Sequence, residues 1–198
     1  MCDGCVTFYF ENPQPANDSE LNGFPSKFRG LYENDSTFIR IEEDRILKEY
    51  FYKSRIHKNF LDSLKQDYIV LGKQIIDKQT NEKLDLYTKG DSLEIVKKNI
   101  DTLFRFSYNQ KAKRINGQLV LSFRDSIFWT IRTISLEKNI LRLKDIYLRE
   151  DLAKLDSVTT TKGKMLDSIS YLIKPTRKEF KNILKIKHLG IDQEFNKV

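Results

Sequence analysis

The stretch Phe128-Trp-Thr-Ile-Arg-Thr-Ile-Ser-Leu136 constrains the fold more than any other part of the chain. Most of its residues are β-branched or aromatic, the types that fit a pleated, half-buried surface. The turn residues Glu137-Lys-Asn139 follow, and then Ile140-Leu-Arg-Leu-Lys-Asp-Ile146. Two such runs around a short polar break predict an antiparallel hairpin. Trp129 is assigned to its core rather than to an exposed ligand platform.

The same grammar recurs upstream. Lys27–Tyr32, Thr37–Ile41 and Arg45–Lys53 read as strands, with Glu33-Asn-Asp-Ser36 as a turn. Tyr68–Leu71, Lys73–Ile76, Leu84–Tyr87 and Ser92–Val96 follow, broken at Thr80-Asn81 and Lys89-Gly90-Asp91. Leu103-Phe-Arg-Phe-Ser-Tyr108 alternates at period two, and Leu119–Phe123 is a shorter run. Helical signals are few. His57–Gln66 carries Phe60, Leu61 and Leu64 on one face, and Arg149–Ser157 carries Leu152 and Leu155. Thr176-Arg-Lys-Glu179 is a capping box ahead of Phe180, Ile183 and Leu184. Thr159–Lys164 is expected to be a mobile loop. The fold class expected is mostly β (α+β), an antiparallel β-sandwich or irregular β-barrel with two or three short helices. Asp35–Ile41 (DSTFIRI) and Asp125–Ile131 (DSIFWTI) are alike, which leaves a diverged duplication open.

The first 26 residues differ from the rest. They hold four carboxylates and no Lys or Arg, a net charge of −4, within a chain whose net charge is +7. Pro13 and Pro15 among Asn, Asp and Ser disfavour helix and sheet interior. Residues 11–26 are therefore expected to form an extended linker, residues 1–26 as a whole a flexible acidic tether, and residues 27–198 a single domain. No apolar run approaches the about 18 residues that a membrane-spanning helix needs. Both cysteines, Cys2 and Cys5, lie in this first segment, so no disulfide supports residues 6–198.

Chemistry-bearing motifs are sparse. Cys2-Asp-Gly-Cys5 is a C-x-x-C followed by a strand-like run rather than the helix that lowers a redox thiol's pKa. Cys2, Cys5, His57 and His188 number four, but their spacing matches no compact zinc module. G-x-S-x-G, H-E-x-x-H, the P-loop and G-x-G-x-x-G are absent. No catalytic residue, metal ligand or cofactor is assigned. Lys174, Arg177, Lys178, Lys181 and Lys185 make the densest basic cluster, with Arg177, Lys181 and Lys185 spaced for one helix face. It reads either as an anion-binding patch or as a solvated face. Base-stacking motifs are not evident, and a nucleic-acid partner is not expected.

Several short motifs together resemble a group of uncharacterised cell-envelope lipoproteins of Bacteroidota (Flavobacterium-type) bacteria. They are Cys2 ahead of Phe8-Tyr-Phe-Glu-Asn-Pro-Gln-Pro15, then Phe24-Pro25, Phe28-Arg-Gly-Leu-Tyr32, Trp129–Leu136 and Lys174-Pro-Thr-Arg-Lys-Glu-Phe180. The resemblance implies that Cys2 is the lipidated first residue after signal cleavage, with Met1 standing in place of the signal. It implies an outer-membrane lipoprotein, facing the periplasm or the surface, held by its lipid. The function expected is that of a non-enzymatic binding or accessory subunit of an envelope assembly, with an envelope protein as partner. The alternatives are a β-barrel carrier of an apolar small ligand and an enzyme of unrecognised type. Oligomeric state stays open.

Overall fold

The computed structural model describes residues 5–35 and 37–198. Strands account for 53 % and helices for 14 % of the chain, and the large mixed sheet does not close into a barrel. The mostly β class therefore stands, with three short helices and without the barrel.

In chain order the strands are β1 (Thr7–Phe10), β2 (Gly30–Asn34), β3 (Thr37–Ile41), β4 (Arg45–His57), β5 (Tyr68–Leu71), β6 (Gln74–Asp77), β7 (Lys83–Lys89) and β8 (Ser92–Arg105). They continue as β9 (Gln110–Ile115), β10 (Gln118–Asp125), β11 (Phe128–Glu137), β12 (Ile140–Asp145), β13 (Lys164–Met165), β14 (Ser170–Ile173) and β15 (Ile191–Lys197). The helices are α1 (Leu61–Asp67), α2 (Asp151–Ser157) and α3 (Arg177–Ile183). The chain divides into two compact units. One comprises residues up to Asn34, Ile39–Leu47 and Thr102–Val198; the other comprises Asp35–Phe38 and Lys48–Asp101. Within the single domain expected over 27–198, β3, β4 and β8 contribute residues to both units.

The larger unit is built on β9 to β12. Directly opposed residues of an antiparallel pair share a face. Leu119 faces Ile134, Leu121 faces Ala112, and Ile134 also faces Leu143. These residues bury against Phe24, Phe28, Tyr32, Ile39, Ile41, Phe104 and Phe195. On the opposite face Ile115, Val120, Trp129 and Ile131 bury against Phe8, Phe10, Leu155, Phe180 and Ile183. Because both faces are covered, Leu119–Ser122 reads as a continuous buried run instead of alternating. Trp129 lies in the core, as expected. β1 pairs β14 in parallel, from Thr7 opposite Ser170 to Phe10 opposite Ile173.

The smaller unit orders β4-β8-β7-β6-β5 and packs Ile75, Leu86 and Leu93 with Leu61 and Leu64 of α1. Phe60, expected on that apolar face, is instead exposed.

The tether reading is corrected for residues 5–26. β1 is part of the core, and Phe24 is fully buried. The backbone after β1 has partners: Gln14 N–H donates to Ser122 Oγ at 3.1 Å, and Leu21 N–H donates to Ala112 O at 2.8 Å. Lys113 Nζ donates to the carbonyls of Pro13 and Pro15, each at 3.0 Å. The acids are paired as well: Glu11 with Lys174, Asp18 with Arg177 and Glu20 with Lys111. Prolines and acids that read as solvated in isolation are satisfied by residues about a hundred or more positions away.

Candidate functional site

One edge of β11 is shared by two strands. β10 runs along its other edge from Phe128 to Ile134. On the shared edge β12 pairs from Arg132 to Glu137, whereas β1 meets β11 at Phe10 opposite Trp129. Thr130 and Ile131, between those two contacts, take no register partner on that edge. The divergence is closed farther on, where Val6 N–H donates to Tyr147 O at 2.7 Å. The result is a cleft of about 530 Å³ between β1 and β12.

Leu103 and Phe123 form an apolar wall, and Thr7, Thr130, Arg132 and Asp145 supply the polar groups. Arg132 Nε and Nη2 donate to Asp145 Oδ1 and Oδ2 at 2.7 and 2.8 Å, a fork-to-fork pair. Both side chains are 28 % exposed, so the pair is partly desolvated while still reachable. A guanidinium has five N–H donors and this pairing uses two. The arrangement offers a strand edge, a paired charge and an apolar wall, which suits hydrogen-bonded recognition. None of these residues stands out in the sequence by motif or spacing. The available signal was an arginine within an apolar strand and an aspartate near the end of the next.

A second concavity, of about 480 Å³, lies within the smaller unit and is lined by Phe38, Phe51, Tyr87 and Val96. Phe38 and Phe51 meet edge-on at 5.9 Å. Glu94 beside them binds both Arg55 and Lys89, at 3.2 and 3.1 Å.

The residues singled out from the sequence are dispersed. Cys2 lies outside the described residues. Cys5 bridges to Leu148 at the start of the larger unit. His57 Nδ1 accepts the Asn59 N–H, a turn-capping role, and His188 sits in a turn at φ 54°. Among the described residues no three His, Cys, Asp or Glu side chains gather as a metal site.

The basic cluster is divided. Lys174 donates to Glu11 at 2.7 Å and Arg177 Nε to Asp18 Oδ1 at 2.5 Å. α3 ends at Ile183, and Lys185 lies in the turn that follows it. Lys178 and Lys185 are exposed and Lys181 is half-buried.

The capping box is present, with Thr176 Oγ1 accepting the Glu179 N–H. Glu179 in turn accepts N–H groups from Thr160 and Thr176, at 2.5 and 2.8 Å. These donors pull its pKa down to about 2. Thr159–Lys164, expected to be mobile, is tied down there and at Thr159, whose buried hydroxyl donates to Leu155 O. Tyr9 donates to Asp125 at 2.6 Å, which pushes its hydroxyl pKa up to about 12. Burial raises that of Tyr171, with its bond to Asp156 acting in the same direction.

Comparison of the chain with protein-family models, with curated proteins and with solved structures returned no match.

Proposed function

We propose that this chain is a non-enzymatic, lipid-anchored envelope protein whose β1–β12 cleft receives an extended segment of a partner protein. The observation that carries the binding role is the stretch Thr130–Ile131, which has no register partner on its cleft edge and sits beside the Arg132–Asp145 pair. Strand addition uses such an edge for main-chain hydrogen bonds and neighbouring side-chain pockets for selectivity. Arg132 and Thr130 supply polar contacts, and Leu103 and Phe123 take an apolar side chain. A carrier of an apolar ligand is the less favoured alternative, because the sheet does not close around an enclosed cavity.

The anchor rests on the resemblance and on the position of Cys2. Cys2 precedes Cys5 by three residues, a covalent reach of at most about 10 Å. A lipid on Cys2 would therefore hold the larger unit directly at the membrane, without the long tether expected from the sequence.

The cleft is tested with a photo-reactive residue at Thr130 in the native host. A discrete protein adduct that disappears when Leu103→Trp fills the cleft is the expected result. An adduct unaffected by Leu103→Trp, or none, overturns the cleft as the docking site. A lipid-like molecule released from the extracted protein would favour the carrier. Mass spectrometry of the N-terminal peptide tests the anchor: a diacylglyceryl thioether on Cys2 is expected, and a free thiol there overturns it.

A further inference from the structure

The turn between β13 and β14 exposes Met165, Leu166 and Ile169 by 38, 41 and 55 %. Three large apolar side chains thus lie exposed within five residues of one hairpin tip. The tip is nevertheless built to hold its shape. Leu166 N–H donates to Ser170 O at 2.8 Å, and Asp167 Oδ1 accepts the Ile169 N–H at 2.8 Å. Arg149 Nη2 reaches across to Ser168 O at 2.8 Å. The Asp167 charge is thus held by donors of its own turn, which keep its pKa below the usual carboxylate value.

Its position relative to the N-terminus matters most. Thr7 N–H donates to Ile169 O at 2.7 Å, and β1 leaves this edge in parallel with β14. The chain preceding Thr7 continues along Tyr147 and Leu148, beside the Arg149 that braces the tip, and Cys2 is five residues from Thr7 in sequence. Basic groups flank the apolar ones: Arg149 braces the tip, and Lys164 is exposed on β13. Exposed apolar side chains with an Arg and a Lys beside them suit interfacial insertion, with the cations at headgroup level and the Asp167 carboxylate held by its own turn.

We infer that Met165, Leu166 and Ile169 at the β13–β14 tip insert into the lipid layer that holds Cys2, fixing which face of the larger unit meets the membrane. The inference rests on the lipid-anchor reading above and gives it an orientation. A diacylglyceryl thioether on Cys2 would hold the chain on the membrane without fixing its orientation, and inserted side chains would select one face.

The test uses the full chain purified from its native host and placed in phosphatidylcholine vesicles whose acyl chains are brominated. Trp129, buried in the core, supplies a constant background, and Ile169→Trp adds a reporter at the tip. Loss of the added emission in brominated but not in ordinary vesicles is expected. Undiminished emission from Ile169→Trp protein that stays on the vesicles overturns the insertion, including the case where the tip docks on a protein. The mass of the N-terminal peptide, measured on the same sample, reports the anchor separately. If Cys2 is unmodified, quenching on added vesicles still supports insertion and its absence overturns it. Ile169→Asp should weaken vesicle association of the Cys2→Ser protein, whereas Ile127→Asp, which adds the same charge at the exposed β10–β11 turn, should not.

Discussion

The ammonium of Lys113 donates to the carbonyl of Pro15 at 3.0 Å, across 98 positions of sequence, with the lysine 5 % exposed. A second donor reaches Pro13 O at the same distance. Burial pushes the pKa of this amine down, while Glu20 and Asp18 pull it the other way. A buried cation is tolerated when hydrogen-bonded and near compensating charge. Lys113→Met retains the packing of the stem but leaves two carbonyls without their donor. The expected loss is about 1–3 kcal/mol, with residues 11–20 becoming the first site of proteolysis. Thermal unfolding with limited digestion checks it; a wild-type digestion pattern would refute the role of Lys113 in fixing this segment.

Lys113 also shows what the sequence conceals. Gln110–Ile115 reads as polar, so β9 is not legible, although Ala112 and Ile115 face opposite cores. β15 buries a single large side chain, Phe195, and gives no period-two signal. β8 was legible at its two ends, but the polar residues of 97–101 concealed its continuity. Thr37–Ile41 and Tyr68–Leu71 were legible in full, because turn residues bracket apolar runs there. The cleft turned on one residue of register. A three-residue turn over Glu137–Asn139 would place Arg132 opposite Lys144. The actual turn has Lys138 and Asn139 at φ 47 and 68°, and it sets Arg132 against Asp145. Primed two-residue turns match strand twist, but Lys-Asn is a weak signal for one.

Glu179 makes stability acid-sensitive. Its folded pKa, about 2, lies below the ordinary value of 4.5. A carboxylate depressed in this way stabilises the fold fully above its unfolded pKa, and the contribution is lost as pH falls from about 4.5 through about 2. Glu179→Ala removes acceptors for Thr160 and Thr176 and should cost about 1–2 kcal/mol at neutral pH. The difference between wild type and variant should shrink over that acid window. Denaturant unfolding at pH 7 and pH 3 measures it, and a pH-independent difference would rule out the linkage.

Gly190 is required by close approach as well as by conformation. At φ 67°, an added Cβ would lie 2.2 Å from Asp145 O. Its N–H is held at 3.0 Å by Asp151, a carboxylate with no exposed surface. Gly190→Ala should therefore cost about 3–5 kcal/mol from left-handed strain and backbone displacement together. Gly117, at φ 81° with open space around it, is the control. Gly117→Ala should cost only the conformational penalty, about 1–2 kcal/mol. Equal losses in the two variants, by chemical denaturation, would remove the argument from Asp145.

The divided basic cluster predicts unequal effects of charge reversal. The side chain of Asp18 is 16 % exposed and its bond to Arg177 closes a loop of 159 positions. Arg177→Glu replaces that attraction with two apposed carboxylates, one of them sheltered from water. The variant should melt below wild type. Lys178→Glu and Lys185→Glu alter exposed side chains that form no ion pair among the described residues, and each should stay within about 0.5 kcal/mol. The swap Asp18→Arg with Arg177→Glu restores opposite charges and should recover much of the loss, since contacting residues are coupled. Anionic vesicles separate structure from binding. If the cluster binds headgroups, Lys178→Glu and Lys185→Glu weaken association at low salt without lowering the melting temperature, and the difference fades as screening shortens toward about 3 Å at 1 M salt. Unchanged association in those two variants would mark the exposed lysines as a solvated face and leave Arg177 and Lys174 with a structural role alone, clamping the N-terminal segment to α3.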